Sequence, residues 1–363
     1  MVIPFEHTGE EAINMGVTKK AFGKAKDGSE LSLFTIDNGT VQVSVTDLGA
    51  TIQSIIVPDR EGKKIDVVLG YDTPEEYYEN TCYFGAVIGR SGNRIDKGHF
   101  SINGKEYQLD INDNENNLHS GLNGFDNRRW DVEKTTDNSV TFFLKDADME
   151  QNYPGNFQVS VTYTLTDDNA LCLHYEGECD QDTVANLTNH VYFNLGGHDS
   201  GCIENHELML AAKRYTPVID HQAIPTGELA PVEGTVFDFT TPHRIGERIG
   251  ADAEQLKFMK GYDHNWLTRD EKGDVIKIGE ADCPASGVHM EIFTDLPAVQ
   301  FYAGNCMTPG QKGKGGAVYQ PRCGFCLETQ FVPNAINMDN VQKPILKAGE
   351  KYDTTTCYRF SVK

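Results

Sequence analysis

Residues able to move protons or hold hydroxyls fall in a few short stretches, the most informative being NLTNHVYFNL over 186–195. Read at period two, Leu187, Val191, Phe193 and Leu195 share one side and Asn186, Thr188, His190, Tyr192 and Asn194 the other, with Asn189 interrupting the apolar side. A face of amides, an imidazole and a phenol suits a polyhydroxylated ligand better than bulk water, although a hydrogen-bonded structural role for His190 fits this stretch equally well. In GFCLETQ, Phe325 and Leu327 share one face while Cys326, Glu328 and Gln330 share the other. In AVQFYAGN, Val299 and Phe301 oppose Gln300 and Tyr302. GRSGNRID contributes Asn93 and Arg94, ENNLHSG contributes His119, and GYDHNW contributes Asp263. Taken singly, each of these has an ordinary alternative as a surface cation, a turn residue or a solvated carboxylate. An imidazole and a carboxylate in one cleft are what an undemanding proton transfer needs, since His charges near neutrality and Glu is normally ionised there.

Other chemistries lack their signatures. No GxGxxG follows a strand, no HExxH occurs, no Ser-His-Asp order is identifiable, and PGQKGKGG over 309–316 lacks the ending of a phosphate-binding loop. That glycine-rich run reads as a mobile surface or lid loop. Cys323 and Cys326 form a CxxC without a second pair to complete a metal site, so both are expected to pack. His198, Cys202 and His206 match no ligand spacing and are expected in loops.

The elements that must position these residues are strands. ELSLFTIDNG, VQVSVTDLG, TIQSIIVPD and KIDVVLGYD alternate β-branched and apolar residues with Asn, Asp and Gly turns. Asn103-Gly104 predicts a two-residue hairpin turn. FQVSVTYTLTDDNALCLHYEGE predicts a second hairpin turning at Asp167 to Asn169. DTPEEYYEN, from Asp72 to Asn80, predicts a helical turn or two. Long helical periodicity is absent, and so many antiparallel strands imply an all-β fold, a large antiparallel β-sandwich.

The 363 residues carry 32 Lys+Arg against 54 Asp+Glu, a formal charge of -22. Such a surface repels phosphate backbones and anionic lipid, so no nucleic acid and no membrane partner is expected, while a local basic pocket for a phosphorylated metabolite stays open. The first residues, MVIPFEHTGEEAINMG, do not read as a secretory signal, and no run of about 18 apolar residues suggests a membrane span. Nine scattered cysteines, an odd number, favour reduced thiols and a cytoplasmic location.

Taken in chain order, GNRI, NNLHSG, NLTNHVYFNL, GYDHNW and GFCLETQ resemble the aldose 1-epimerase (galactose mutarotase) family. The resemblance extends from TKKAFGKAKDG at Thr18 through IPTGELAPVEGTVFDF to AINMDNVQKPILKAGEKY. It implies an N-terminal extension over 1–17 and a single mutarotase-like β-supersandwich domain over 18–363, acting on a free sugar such as galactose or glucose without cofactor or metal. By motif position it implies His190 as general acid and Glu328 as general base, with Asn93, Arg94, His119, Asp263 and Gln300 binding or orienting hydroxyls and His119 a secondary candidate for proton transfer. The partner implied is a small-molecule sugar, with the chain a monomer or homodimer. Cys306 and Met307 stand where relatives commonly read Phe-Leu, and Asn334 where Asp is usual, which bears on substrate preference and loop packing. Two rival readings accompany this one. A hexose-6-phosphate epimerase would need cations, for which Lys312 and Lys314 are the nearby candidates; a non-catalytic sugar-binding protein would need neither His190 nor Glu328.

Overall fold

Antiparallel strands make up most of the chain, and the hairpin over 157–179 shows how the sequence dictates them. In the computed structural model, which describes residues 16–79 and 82–363, strands Phe157–Leu165 and Ala170–Cys179 pair from Phe157↔Cys179 to Leu165↔Leu171. Val159, Val161, Tyr163, Leu171, Leu173 and Tyr175 are buried, whereas Gln158 and Glu176 point to water. One face therefore enters the core and the other stays wet, as alternation requires. The turn closes through Asn169 at φ 65°, and the second hairpin, between strands His99–Ile102 and Lys105–Gln108, turns on Asn103 and Gly104 at φ 53° and 77°. Both positions need the left-handed region that Asn and Gly tolerate best. The short helix expected after Asp72 spans Pro74–Glu79.

Three large sheets carry the architecture. The first pairs Gly16–Lys24, Glu30–Asp37, Gln42–Thr46, Thr51–Pro58 and Lys64–Asp66 in chain order. Its opening strand starts at Gly16, inside the stretch expected to be an extension; residues 1–15 of that stretch lie outside the described residues. The second has nine strands in the order Asp131–Thr135, Ser139–Asp146, Phe157–Leu165, Ala170–Cys179, Lys351–Val362, Val288–Thr294, Ile276–Asp282, Glu207–Leu210, His243–Arg244. The third runs Ala230–Pro231, Arg214–Thr216, Asp263–Leu267, Ala298–Tyr302, Cys326–Gln330. A continuous core joins them through Val43 and Val45, Val161 and Tyr358, and Val299, Phe301 and Leu327. The fold is the expected all-β sandwich of antiparallel sheets. Among the described residues, no helix is long and apolar enough to cross a membrane.

Three expectations need correction. Cys172 and Cys357 face each other directly across neighbouring strands and are joined in a disulfide, so the thiols are not all reduced. Scattered positions in sequence say nothing about register, which brings the two sulfurs together. The glycine-rich run is tethered instead of free, because Lys314 is buried and its Nζ donates to Asp66 Oδ2 at 2.6 Å and to the Gln53 carbonyl at 2.8 Å. Segment 186–195, read as one alternating strand, forms only the short ladder Thr188–Asn189 with Val87–Ile88 beside isolated bridges at Asn186 and Phe193, and all ten residues are buried. It threads between sheets, which gives both of its faces something to touch.

Candidate active site

Strand pairing builds one wall of the site. Asn265 lies opposite Gln300 and Gln300 opposite Glu328, while Asp263 lies opposite Tyr302 and Tyr302 opposite Cys326. Alternation puts Trp266, Val299, Phe301 and Leu327 into the core, which forces Asp263, Gln300, Tyr302, Cys326 and Glu328 to the other face. The threading segment supplies the facing wall. Its His190 is fixed on the main chain, where N–H donates to Ala86 O at 2.9 Å and the carbonyl accepts from Gly85 N–H at 3.0 Å. Residues 93–94 and 117–119 close the third side through the two-residue ladder Arg94–Ile95 with Asn117–Leu118.

These walls enclose a cleft of about 360 Å³, the size of a single small-molecule site. Asn93, Arg94, His119, His190, Asp263 and Glu328 all line it. Gln300 does not reach the cleft; it stands behind Asp263 and donates from Nε2 to Oδ1 at 2.7 Å, which aims that carboxylate. His190 Nε2 lies 3.7 Å from Glu328 Oε1, too far for a hydrogen bond and close enough for both to reach one ligand. Glu328 Oε2 is buried and meets no partner. His190 Nδ1 contacts the Cys326 thiol at 3.5 Å, so Cys326 is tied to the site as well as to core packing. Cys323, just before the strand, packs in the same cluster as Cys326 without bridging to it. The strand begins only at Cys326, so alternation does not separate the two thiols.

His119 Nδ1 accepts the Asn93 main-chain N–H at 3.1 Å, which leaves Nε2 to carry the ring proton and to donate. Arg94 Nε donates to Asp113 Oδ2 at 2.7 Å, a pair that holds the guanidinium at the rim. Tyr192 stacks on His190 at 5.1 Å, and Tyr83 packs on His119 at 4.8 Å. Ligand atoms of His119, His190 and Glu328 lie within 4.8 Å of one another, a spacing that could also hold a metal ion.

Electrostatics in the cleft follow from burial. Desolvation, then the charge of Asp263, push the Glu328 carboxyl well above its ordinary value, with Arg94 pulling the other way. Desolvation draws His190 down to about 4 and holds His119 well below its ordinary value. Asp263 is raised, again by burial first. The walls thus favour an uncharged Glu328 and His190 sharing one proton between them.

Sequence reasoning did not single out Tyr83, Asp113, His221 or Lys260, which also line the cleft. Tyr83 and Asp113 sit in turns whose polar residues look like any surface loop. The cations expected for a phosphate are not placed to meet one: Lys314 is buried against Asp66, and Lys312 is not among the lining residues. Cys306 does line the cleft, its N–H donating to the Tyr302 hydroxyl at 2.8 Å, whereas Met307 is buried beside it.

The profile of the Aldose 1-epimerase family matches residues 32–359. The chain is 43% identical to galactose mutarotase from Homo sapiens over 349 residues, covering 95% of this chain and 99% of the relative. It is 37% identical to aldose 1-epimerase from Escherichia coli (strain K12) over 340 residues, covering 93% and 97%. Among solved structures it resembles galactose 1-epimerase from Lactobacillus acidophilus, with a TM-score of 0.82, 27% identity, and 96% and 99% of the two chains covered. A GalM/aldose epimerase homologue from C. elegans gives the same TM-score of 0.82 at 29% identity, with 89% and 96% covered.

Proposed function

We propose a division of labour in the cleft from the premise that this chain belongs to the aldose 1-epimerase family and is an isomerase interconverting the α and β anomers of aldoses. Glu328 is the base that takes the proton from the C1 hydroxyl, and His190 is the acid that gives its Nε2 proton to the ring oxygen. The bond between C1 and the ring oxygen breaks and leaves an open-chain aldehyde. Rotation about C1–C2 presents the other face of the carbonyl. Reclosure runs the two transfers backwards: His190 retrieves the hydroxyl proton and Glu328 returns its proton to the new C1 oxygen. No atom is lost, and one proton shuttles within the pair.

The observation that carries this reading is the 3.7 Å separation of His190 Nε2 and Glu328 Oε1 on the floor of a buried, sugar-sized cleft. Burial sets which protonation state of the pair is lower in energy. Ring opening turns a carboxylate and an imidazolium into a carboxylic acid and a neutral imidazole, the state that desolvation favours for both residues. The charged pair that starts ring opening is therefore the minor form, reached from the resting uncharged pair. Positioned acid and base groups of this kind each contribute on the order of 10² to 10⁴-fold.

His119 donates from Nε2 to a sugar hydroxyl, Asp263 accepts from one while braced by Gln300, and Asn93 and Arg94 orient the ring. The partner is a small neutral sugar, with galactose the first to test, and the chain works as a monomer or homodimer without nucleic acid or membrane. Buried unbridged thiols such as Cys179, Cys323 and Cys326 favour a cytoplasmic setting, to which the Cys172–Cys357 bridge is the exception.

The test follows the optical rotation of freshly dissolved α-D-galactose against the spontaneous rate, for the native chain and for Glu328→Gln. Acceleration by the native chain that disappears in the variant supports the assignment. Near-full activity in a folded Glu328→Gln would overturn it.

A further inference from the structure

A second cavity lies away from the cleft, where the hairpin between strands Ile276–Asp282 and Val288–Thr294 meets the loop over 196–206. It measures about 390 Å³ and is lined by Ser200, Cys202, His206, Arg244 and Cys283 among others. No carboxylate is among its lining residues, in a chain of formal charge -22, and Arg244 supplies a cation. Cys283 is 5% exposed and His206 3% exposed. Neither ring nitrogen of His206 has a hydrogen-bond partner of normal geometry, although the ring is almost wholly buried. An imidazole left in that state is aimed at something, and its polar neighbour is the Cys283 thiol.

We propose that Cys283 and His206 form a thiolate site that undergoes exchange with small anionic disulfides, making Cys283 a site of reversible S-thiolation distinct from the sugar cleft. The thiolate attacks one sulfur of the incoming disulfide, a new S–S bond forms to Cys283, the old S–S bond breaks, and the departing thiolate takes a proton from water. The disulfide itself is the oxidant. Arg244 attracts the carboxylates of the incoming molecule.

Thiol chemistry at the site agrees with this. Burial alone would push the Cys283 thiol up, but His206 and Ser286 overcome it and bring the group down to about 6. The exposed Cys202, by contrast, is raised by its partial burial. At neutral pH the gain in thiolate fraction outweighs the lower intrinsic nucleophilicity of a more acidic thiol, a net advantage of about two- to threefold over an ordinary cysteine.

The experiment treats the full-length protein with oxidised glutathione at neutral pH and follows each cysteine by peptide mass mapping. Cys283 is expected to gain the adduct at least about twofold faster than Cys202 or Cys306, despite their exposure. His206→Asn should erase that lead. Because His206 is buried and its variant could fold poorly, Arg244→Ala, at an exposed position, provides the second arm. It should slow the adduct from oxidised glutathione and leave the rate with the neutral bis(2-hydroxyethyl) disulfide unchanged. Faster labelling of Cys202 or Cys306, an undiminished lead in a folded His206→Asn, or an Arg244→Ala effect that is equal for both disulfides would overturn the proposal.

Discussion

The strands Asp263–Leu267, Ala298–Tyr302 and Cys326–Gln330 have two faces made from the same backbone and equally hidden from bulk water, yet they are buried for different ends. On the core face, polar groups are mostly spoken for: Trp266 Nε1 donates to Phe237 O at 3.0 Å, and the Tyr358 hydroxyl crosses from the nine-stranded sheet to Leu327 O at 3.0 Å. On the other face, Gln300 Oε1, Glu328 Oε2 and both amide atoms of Asn265 and Gln330 are buried without a partner in the protein, and of these residues Glu328 lines the cleft. Leaving such a group unmatched costs about 1–3 kcal/mol, so the Glu328 oxygen beside the cleft is held for a ligand or solvent. Two histidines repeat the contrast at the scale of one ring. His264 sits among Tyr215, Phe237 and Trp266, and His190 among Tyr192, Tyr302 and Glu328; burial lowers both, to about 3 and about 4. A depressed histidine is therefore no proof of catalysis. What separates the two is the carboxylate and open cleft beside one of them.

The comparison breaks if substitutions on the two faces act alike. The largest expected effect is Glu328→Gln, which should lower kcat for α-D-galactose by about 10² to 10⁴-fold while the urea midpoint holds or rises, since an uncharged amide replaces a buried acid. Phe301→Ala, on the core face of the neighbouring strand, should do the reverse. It should cost about 3–5 kcal/mol in urea unfolding, yet leave kcat per folded molecule within about twofold.

Acid and base limbs of the rate profile sharpen the assignment. On the proposed roles the Glu328–His190 pair works with one proton, so the acid limb should appear near pH 4, where His190 takes up a second. The alkaline limb lies where Glu328 loses its proton, held up by burial first and by Asp263, and held down by Arg94. Removing that cation with Arg94→Met should move the alkaline limb to higher pH and raise KM about tenfold or more, the loss of a charged hydrogen bond. A limb that moves down instead would place Arg94 away from the base.

The smallest effect is expected at His264. Its folded value of about 3 lies below its unfolded value near 6.5, so the unfolded chain takes up a proton that the native state refuses once the pH falls below about 6.5. His264→Phe removes that penalty. The stability of the variant relative to the native chain should therefore improve by about 2 kcal/mol between pH 7 and pH 5, read from urea curves at both values, with mutarotation unaffected.

Alternation made the strands of the third sheet legible, and with them the face shared by Gln300, Tyr302, Cys326 and Glu328. Asn103-Gly104 and the residues before Ala170 announced their hairpins because positive φ restricts the residue types that fit there. The family, with its fold and its reaction, was legible because five motifs survive in order along the chain. Those properties are local or additive along the sequence, so composition and spacing carry them.

Tertiary structure decided the rest. That Gln300 braces Asp263 from behind, that Lys314 turns inward to Asp66, and that Cys172 meets Cys357 all depend on register and on which segments cross in space. The same holds for the 3.7 Å between His190 and Glu328, residues 138 positions apart in sequence, and for the meeting of His206 with Cys283. Burial of a charged or polar group is a property of every chain segment around it, and no single stretch of sequence records it.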